Sequence, residues 1–147
     1  MTGKKSRSRV LLADDNRDMI EAVKSILGDA FEVVGAVHDG LQLINAEASL
    51  EPDIAIVDIS MPVMNGITAA SEIAKRGSSL KVIFLTVNED YDFVKAAFET
   101  GGRAYVIKRQ MASDLPDALK EVLAGRRYIS PGCDIPSDVT EFNGLDD

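Results

Sequence analysis

Short apolar runs alternate along this chain with segments in which apolar residues recur at every third or fourth position. The runs at 9–13, 31–37, 53–57, 81–85 and 104–107 have the length and the branched side chains of strands. Runs with little polar alternation are typical of parallel strands that helices cover on both faces. The spacing of the intervening segments is that of amphipathic helices. The pattern therefore predicts an α/β fold in which five strands alternate with five helices.

The second strand differs from the others because Glu32 and Gly35 interrupt its apolar run. Such an interruption favours the edge of a sheet, where the strand has a neighbour on one side only. We therefore expect a doubly wound, five-stranded parallel sheet with the strand order 2-1-3-4-5. In sheets of this kind ligands bind at the carboxyl ends of the strands, near the point between strands 1 and 3 where the order reverses.

The residues that end the central strands are predicted to share one edge of the sheet. Asp14 and Asp15 follow the first strand, Asp58 the third, Thr86 the fourth and Lys108 the fifth. Each of them alone has an ordinary structural explanation, such as a helix cap or a surface charge. Three carboxylates brought together repel one another unless a cation lies between them, and Mg²⁺ prefers oxygen ligands. The cluster therefore predicts a site for a divalent cation, Mg²⁺.

A metal at this edge makes phosphoryl chemistry the best candidate. The carboxylate of Asp58 can act as the nucleophile toward a phosphoryl group. Phosphoryl transfer asks the protein mainly for positioning and positive charge, which the metal and the Lys108 ammonium can supply. The hydroxyl of Thr86 can then hydrogen-bond a further phosphoryl oxygen.

Composition narrows the classes of function. At 147 residues, 46% of them hydrophobic, the chain can form one well-packed domain. We expect a cytoplasmic protein without a membrane partner, because no apolar run approaches the roughly 18 residues of a membrane span. The single cysteine, Cys133, and the single histidine, His38, exclude a Cys/His zinc site. A net charge of −8 argues against binding of nucleic acid by this chain alone.

The order and spacing of the motifs resemble those of a response-regulator receiver domain of bacterial two-component signalling. The matching motifs are Asp14-Asp15, Asp58-x-x-Met-Pro-x-Met-Asn-Gly, Thr86 and Tyr105-x-x-Lys108. The resemblance implies a flavodoxin-like receiver fold over 8–127, preceded by a flexible basic arm at 1–7. The remaining residues, 128–147, are then expected to form a mostly disordered acidic tail.

The same resemblance implies roles for the site residues. Asp58 is the phosphoacceptor, and its donor is a histidine kinase or a phosphotransfer protein. Asp14 and Asp15 hold Mg²⁺ together with Asp58, and Lys108 pairs with the phosphoryl group. A protein of this kind is a signalling switch rather than an enzyme, since it catalyses only its own phosphorylation and dephosphorylation.

The output of the switch is expected to be a changed partner surface. By the resemblance, Thr86 and Tyr105 form the switch that couples the site to that surface. The stretches 104–108 and 122–131 resemble the receivers of LuxR-type helix-turn-helix transcription regulators, whereas the residues after 131 are too few for a helix-turn-helix. We therefore expect the regulatory part of a transcriptional regulator, which phosphorylation can dimerise and which binds DNA only through an appended domain.

Two alternatives stay open at this point: a stand-alone receiver, and a protein-interaction module of the same fold that phosphorylation does not control.

Two residues depart from the pattern of the resembled family. Val87 replaces a small residue after Thr86, and Arg109 replaces a proline after Lys108. A surface patch near Tyr91, Val94 and Lys95 is a candidate for partner binding.

Overall fold

The computed structural model describes residues 7–136 of the chain. Its six strands are β1 Ser8–Ala13, β2 Phe31–Val37, β3 Ile54–Val57, β4 Lys81–Thr86, β5 Ala104–Ile107 and β6 Tyr128–Ile129. The five α-helices of this part are α1 Arg17–Leu27, α2 Gly40–Leu50, α3 Gly66–Lys75, α4 Tyr91–Glu99 and α5 Met111–Leu123. Within residues 7–136, no helix has both the length and the apolar character needed to cross a membrane.

All six strands are parallel and form one sheet in the order β2-β1-β3-β4-β5-β6. The predicted α/β class, the order 2-1-3-4-5 and the edge position of β2 are confirmed. The predicted number of five strands is wrong, because Tyr128 and Ile129 pair with Ala104 and Tyr105 and add a sixth.

The sixth strand also changes the boundary of the predicted tail. Both of its residues are buried, and so is Ser130. The fold therefore extends past 127, where we placed the end of the domain. Most of the predicted basic arm, 1–6, and the rest of the predicted tail, 137–147, lie outside the described residues.

Two clusters of buried side chains lie on opposite faces of the sheet. Successive strand residues point to opposite faces, so Val10 and Leu12 belong to one cluster and Leu11 and Ala13 to the other. Helices α1 and α5 cover the first face, and α2, α3 and α4 cover the second. This double cover explains the apolar runs of the sequence, since each fully buried aliphatic side chain contributes about 1.5–3 kcal/mol to stability.

Side-chain caps begin the helices that follow β1, β2 and β3. Asn16, Asp39 and Asn65 each accept a hydrogen bond from a backbone N–H three residues further on, at 3.1, 2.8 and 2.8 Å. A cap of this kind satisfies one of the free N–H groups of a first helical turn. The caps therefore fix where the chain leaves the carboxyl edge of the sheet.

Candidate functional site

The two buried carboxylates of the predicted site are brought together by strand pairing. Asp14 directly follows β1 and Asp58 directly follows β3, its paired neighbour. The backbone N–H of Asp58 donates to the carbonyl oxygen of Ala13 at 2.9 Å, which continues the ladder beyond the strand. Asp14 is 4% exposed and Asp58 5%, whereas Asp15 faces solvent. One carboxylate oxygen from each of these three aspartates lies within 4.8 Å of the others.

Lys108 lies between the two buried carboxylates. It opens a 3₁₀ turn, Lys108–Gln110, directly after β5. Its Nζ atom is 2.8 Å from Oδ2 of Asp14 and 3.2 Å from Oδ2 of Asp58. The other oxygen of each carboxylate accepts a backbone N–H, from Asn16 at 2.9 Å and from Ser60 at 3.3 Å.

Burial and charge act in opposite directions at this site. Burial raises the pKa of Asp58, the Lys108 ammonium opposes that rise, and the Asp14 carboxylate adds to it. Burial lowers the pKa of Lys108, but hydrogen bonds and charge attraction from Asp14 and Asp58 prevail, so that its pKa is raised. The site thus holds three carboxylates and one ammonium, which contacts two of them, and this excess of negative charge with oxygen donors fits a hard divalent cation.

The raised pKa of Asp58 predicts a pH-dependent gain in stability for Asp58→Asn. Because the folded chain binds the Asp58 proton more tightly than the unfolded chain, the free energy of unfolding falls as pH rises from about 3.8 through the raised folded value. The amide does not titrate and escapes this loss. Urea unfolding in EDTA at several pH values should show that the free energy of unfolding of the variant rises relative to that of the wild type across that window. A difference in unfolding free energy that does not change with pH would contradict the raised pKa of Asp58.

Thr86 and Tyr105 both contact a residue that sequence reasoning missed, Asn88. Oγ1 of the fully buried Thr86 accepts from the backbone N–H of Asn88 at 3.2 Å and from its Nδ2 at 3.3 Å. With two donors on its oxygen, the Thr86 hydroxyl keeps its proton for another acceptor. The fully buried Tyr105 donates its hydroxyl to the carbonyl oxygen of Asn88 at 2.9 Å, and burial raises its pKa.

The departures at Val87 and Arg109 lie on the surface. The side chain of Val87 is 67% exposed. Arg109 forms a two-pronged ion pair with Glu89, one arm at 3.0 Å, and so ties the turn after β5 to the loop after β4. The pair lowers the pKa of Glu89 and raises that of Arg109, chiefly through the hydrogen bond between them.

The predicted partner patch is partly wrong. Val94 is fully buried in the core, because it lies on the inner face of α4 together with Ala97 and Phe98. Tyr91 is 38% exposed, and Lys95 lies at the surface, 3.7 Å from Glu99. Only the latter two of the three residues can therefore contribute to a surface.

A doubly wound sheet that carries aspartates and a lysine at this edge is typical of a signal-receiving domain. Residues 10–120 match the family model of the response regulator receiver domain. The chain belongs to this family.

Its relatives include transcriptional regulators of bacteria. It is 34% identical over 125 residues to the uncharacterized transcriptional regulatory protein YvfU of Bacillus subtilis (strain 168), covering 84% of this chain and 62% of that protein. It is 32% identical over 128 residues to the transcriptional regulatory protein DegU of Brevibacillus brevis, covering 86% of this chain and 54% of that protein. The chain therefore spans less than two thirds of either.

A third relative and a solved structure match over nearly their whole length. The chemotaxis protein CheY of Halobacterium salinarum is 30% identical over 115 residues, covering 78% of this chain and 96% of that protein. The crystal structure of a LuxR-family two-component response regulator from Aurantimonas sp. SI85-9A1 superposes with a TM-score of 0.81 at 28% identity, covering 86% and 91% of the two chains.

Proposed function

We propose that this chain is a phosphorylation switch that accepts a phosphoryl group on Asp58 from the phosphohistidine of a histidine kinase or phosphotransfer protein. One observation carries the proposal: a buried strand-end carboxylate lies beside Lys108 and two further aspartates. In the transfer, an Asp58 oxygen forms a bond to phosphorus while the phosphorus–nitrogen bond of the donor breaks. The donor imidazole leaves with the electron pair of that bond, and the product is an acyl phosphate.

The side chains around Asp58 have separate tasks in this transfer. Asp14, Asp15 and Asp58 would hold Mg²⁺, which when bound offsets the negative charge of the phosphoryl oxygens. Lys108 is within reach of the acceptor carboxylate and pairs with a phosphoryl oxygen. The Ser60 N–H keeps the other Asp58 oxygen in place, so that the attacking oxygen is oriented before the donor arrives.

Thr86 and Tyr105 form the proposed switch. The free proton of the Thr86 hydroxyl can be donated to a phosphoryl oxygen, and Asn88 joins its movement to the Tyr105 hydroxyl. A single change of charge at Asp58 thereby biases the position of the buried Tyr105 side chain on β5.

We propose that the output is regulation of transcription through a changed partner surface. The support is the match to regulators over a little more than half of their length. A solved structure of RcsB, 28% identical to this chain, is described as two dimers bound to two parallel DNAs, and this chain covers 65% of it. Phosphorylation would thus favour a homodimer, and DNA would be bound by an appended domain rather than by these acidic 147 residues.

A second candidate is a stand-alone receiver that acts by docking on another protein. The observation in its favour is the match to a chemotaxis protein over 96% of that relative's length. Reading the coding sequence beyond codon 147 decides between the two, because the first requires a further domain.

The test is phosphorylation with acetyl phosphate. With Mg²⁺ present, the intact mass should rise by one phosphoryl group, and peptide mapping should place the group on Asp58. Chelation with EDTA should prevent the modification, because the three carboxylates then repel both one another and the phosphate. If neither phosphoryl mass nor bound beryllofluoride is found, the chain is instead an interaction module that phosphorylation does not control.

A further inference from the structure

The described chain ends in a segment that folds back onto the sheet beyond α5. Residues 128–136, here called the C-terminal strap, begin with β6, which pairs with β5. The backbone N–H of Ser130 donates to the carbonyl oxygen of Tyr105 at 2.9 Å. Ser130 is fully buried, and Pro136, the last described residue, is buried as well. The strap is therefore packed against the domain at its two ends, whereas most of the residues between Ser130 and Pro136 are exposed.

A buried carboxylate fastens the strap. Oγ of Ser130 accepts from the backbone N–H of Ile107 at 3.0 Å and donates to Oδ2 of Asp114 at 2.8 Å. Asp114 is 6% exposed and lies in the first turn of α5. Nε2 of Gln110 donates to the same Oδ2 at 2.8 Å and to the carbonyl oxygen of Pro131 at 3.3 Å. Gln110 thus hydrogen-bonds both the strap, at Pro131, and the carboxylate of Asp114, which holds the strap in place.

The far part of the strap lies close to Tyr105. Cys133 is partly buried and packs against the core cluster that contains Tyr105 and Ile129. Burial first, and then the Cys133 thiolate, raise the pKa of Tyr105. Burial, followed by the Glu89 carboxylate, raises the pKa of the Cys133 thiol itself. The strap therefore covers the side of β5 on which the proposed switch lies.

One short turn joins the hydrogen bonds that Asp114 accepts from Ser130 and Gln110 to the phosphoacceptor site. Lys108 and Gln110 are the first and last residues of a three-residue 3₁₀ turn, closed by the Met111 N–H bonding the Lys108 carbonyl oxygen. Lys108 reaches Asp14 and Asp58 at one end, and Gln110 reaches Asp114 and the strap at the other. Since both side chains are attached to this one hydrogen-bonded turn, a shift of its backbone that moves Lys108 also moves Gln110.

We propose that the C-terminal strap is a regulatory device that reports on Lys108: it is closed while Lys108 bridges Asp14 and Asp58, and it loosens when Lys108 leaves them. Its regulatory part rests on the function proposed above. A phosphoryl group on Asp58 would bring its own oxygens as partners for Lys108, and Asp14 would be engaged by the cation that it helps to hold. Lys108 then shifts toward the phosphoryl oxygens and gives up at least one present contact, and Gln110 loses the position from which it bonds both Asp114 and Pro131.

Cys133 supplies the measurement, because it is the only cysteine of the chain. Its alkylation rate under native conditions reports the opening of the strap. In the absence of any phosphoryl donor, Lys108→Gln should raise that rate about fivefold or more, the lower range of measured site-to-site couplings. Lys95→Gln, the same change at an exposed lysine of α4, should leave it within about twofold of wild type, below the range of site-to-site couplings. Equal rates for the two variants would overturn the proposal.

A pair of serine variants tests the fastening itself. Ser130 and Ser78 each accept a backbone N–H and donate to a carboxylate, Asp114 at 2.8 Å and Glu47 at 2.7 Å, but only Ser130 belongs to the strap. Ser130→Ala should speed the alkylation of Cys133 and Ser78→Ala should not. Urea unfolding of each variant corrects the rates for opening by global unfolding. A rate increase fully accounted for by global unfolding would overturn the proposal.

The regulatory part is tested with beryllofluoride and Mg²⁺ on the wild-type chain, with binding followed by ¹⁹F NMR. Bound beryllofluoride should raise the alkylation rate, and Ser130→Ala should in return tighten the binding of beryllofluoride, by at most the factor by which beryllofluoride favours the open strap, since coupling is reciprocal. Bound beryllofluoride without a change in rate overturns the strap proposal alone. If beryllofluoride does not bind, the proposed function is overturned. The alkylation rate of Cys133 in Lys108→Gln then decides alone whether the strap responds to Lys108.

Discussion

Asp58→Asn is expected to abolish phosphorylation by acetyl phosphate completely while leaving the fold intact. The amide has nearly the shape of the carboxylate and can still accept the Ser60 N–H. It lacks the negative charge that makes the oxygen a nucleophile and that helps to hold a cation. Intact-mass measurement after incubation with acetyl phosphate and Mg²⁺ should therefore show no added phosphoryl group.

A matched control lies at the other end of the same strand. Asp53 immediately precedes β3, and its Oδ2 accepts the backbone N–H of Arg9 at 2.8 Å, an interaction that an amide oxygen also makes. Asp53→Asn should be phosphorylated as the wild type is. Phosphoryl mass on Asp58→Asn equal to that on this control would place the acceptor elsewhere in the chain.

The convergence of the site was predictable from sequence because it depends on topology alone. Once 9–13 and 53–57 are taken as parallel neighbours, the residues that follow them must meet at one edge. Asp14 and Asp58 do so through a continued backbone ladder, and Lys108 arrives from β5 on a side chain long enough to reach both. Which oxygen bonds which donor depends on local backbone geometry, and the apolar pattern carries no information on it.

The features that sequence reasoning missed are local or depend on the rest of the fold. Two residues, Tyr128 and Ile129, are too few to show a strand period, and they become a strand only by pairing with Ala104 and Tyr105 of β5. Asn88 gave only one signal, a side chain with two donors two residues after a strand-end threonine. Its role follows from a turn that places its backbone and amide N–H groups on the same oxygen.

The start of α5 cannot be located from the apolar pattern. The apolar stripe begins at Leu115, and the adjacent Pro116 favours a first helical turn there, because a missing N–H is harmless in that turn. The helix in fact begins at Met111 and Pro116 is in its interior. Polar contacts hold residues 111–114 instead. The Ser113 hydroxyl lies 3.1 Å from the Gln110 carbonyl oxygen, and the Asp114 carboxylate accepts hydrogen bonds from Gln110 and Ser130. Hydrophobic periodicity cannot detect a helical turn of this kind.

Gly66→Ala adds only one methyl group, but it is expected to reduce both the stability of the protein and the rate of phosphorylation strongly. Gly66 begins α3 at the end of the loop that leaves Asp58, and its N–H donates to the Ile59 carbonyl oxygen at 2.8 Å. A Cβ atom added there would lie 2.2 Å from the backbone oxygen of Asp58 and 2.7 Å from Cγ1 of Val57. The first of these neighbours is backbone and cannot rotate away, so β3 and the loop must separate.

The expected cost of Gly66→Ala is about 3 kcal/mol of unfolding free energy, the upper range for overpacking a dense site. Because the displaced atom belongs to Asp58 itself, the folded fraction should also accept phosphoryl groups about 100-fold more slowly, as is typical when a reacting group is misplaced by about 1 Å. Urea unfolding and acetyl phosphate kinetics measure the two effects on the same preparation.

Gly77→Ala separates this clash from the general effect of removing a glycine. Gly77 has a φ of +77°, but a Cβ atom there meets nothing within 4 Å. Its substitution should cost only the left-handed backbone penalty of about 1–2 kcal/mol. Since Gly77 lies after α3, at the opposite end of that helix from Asp58, phosphorylation of the folded protein should keep the wild-type rate. If both alanine variants lose stability equally and phosphorylate normally, the close approach of Gly66 to Asp58 does not hold the acceptor in place.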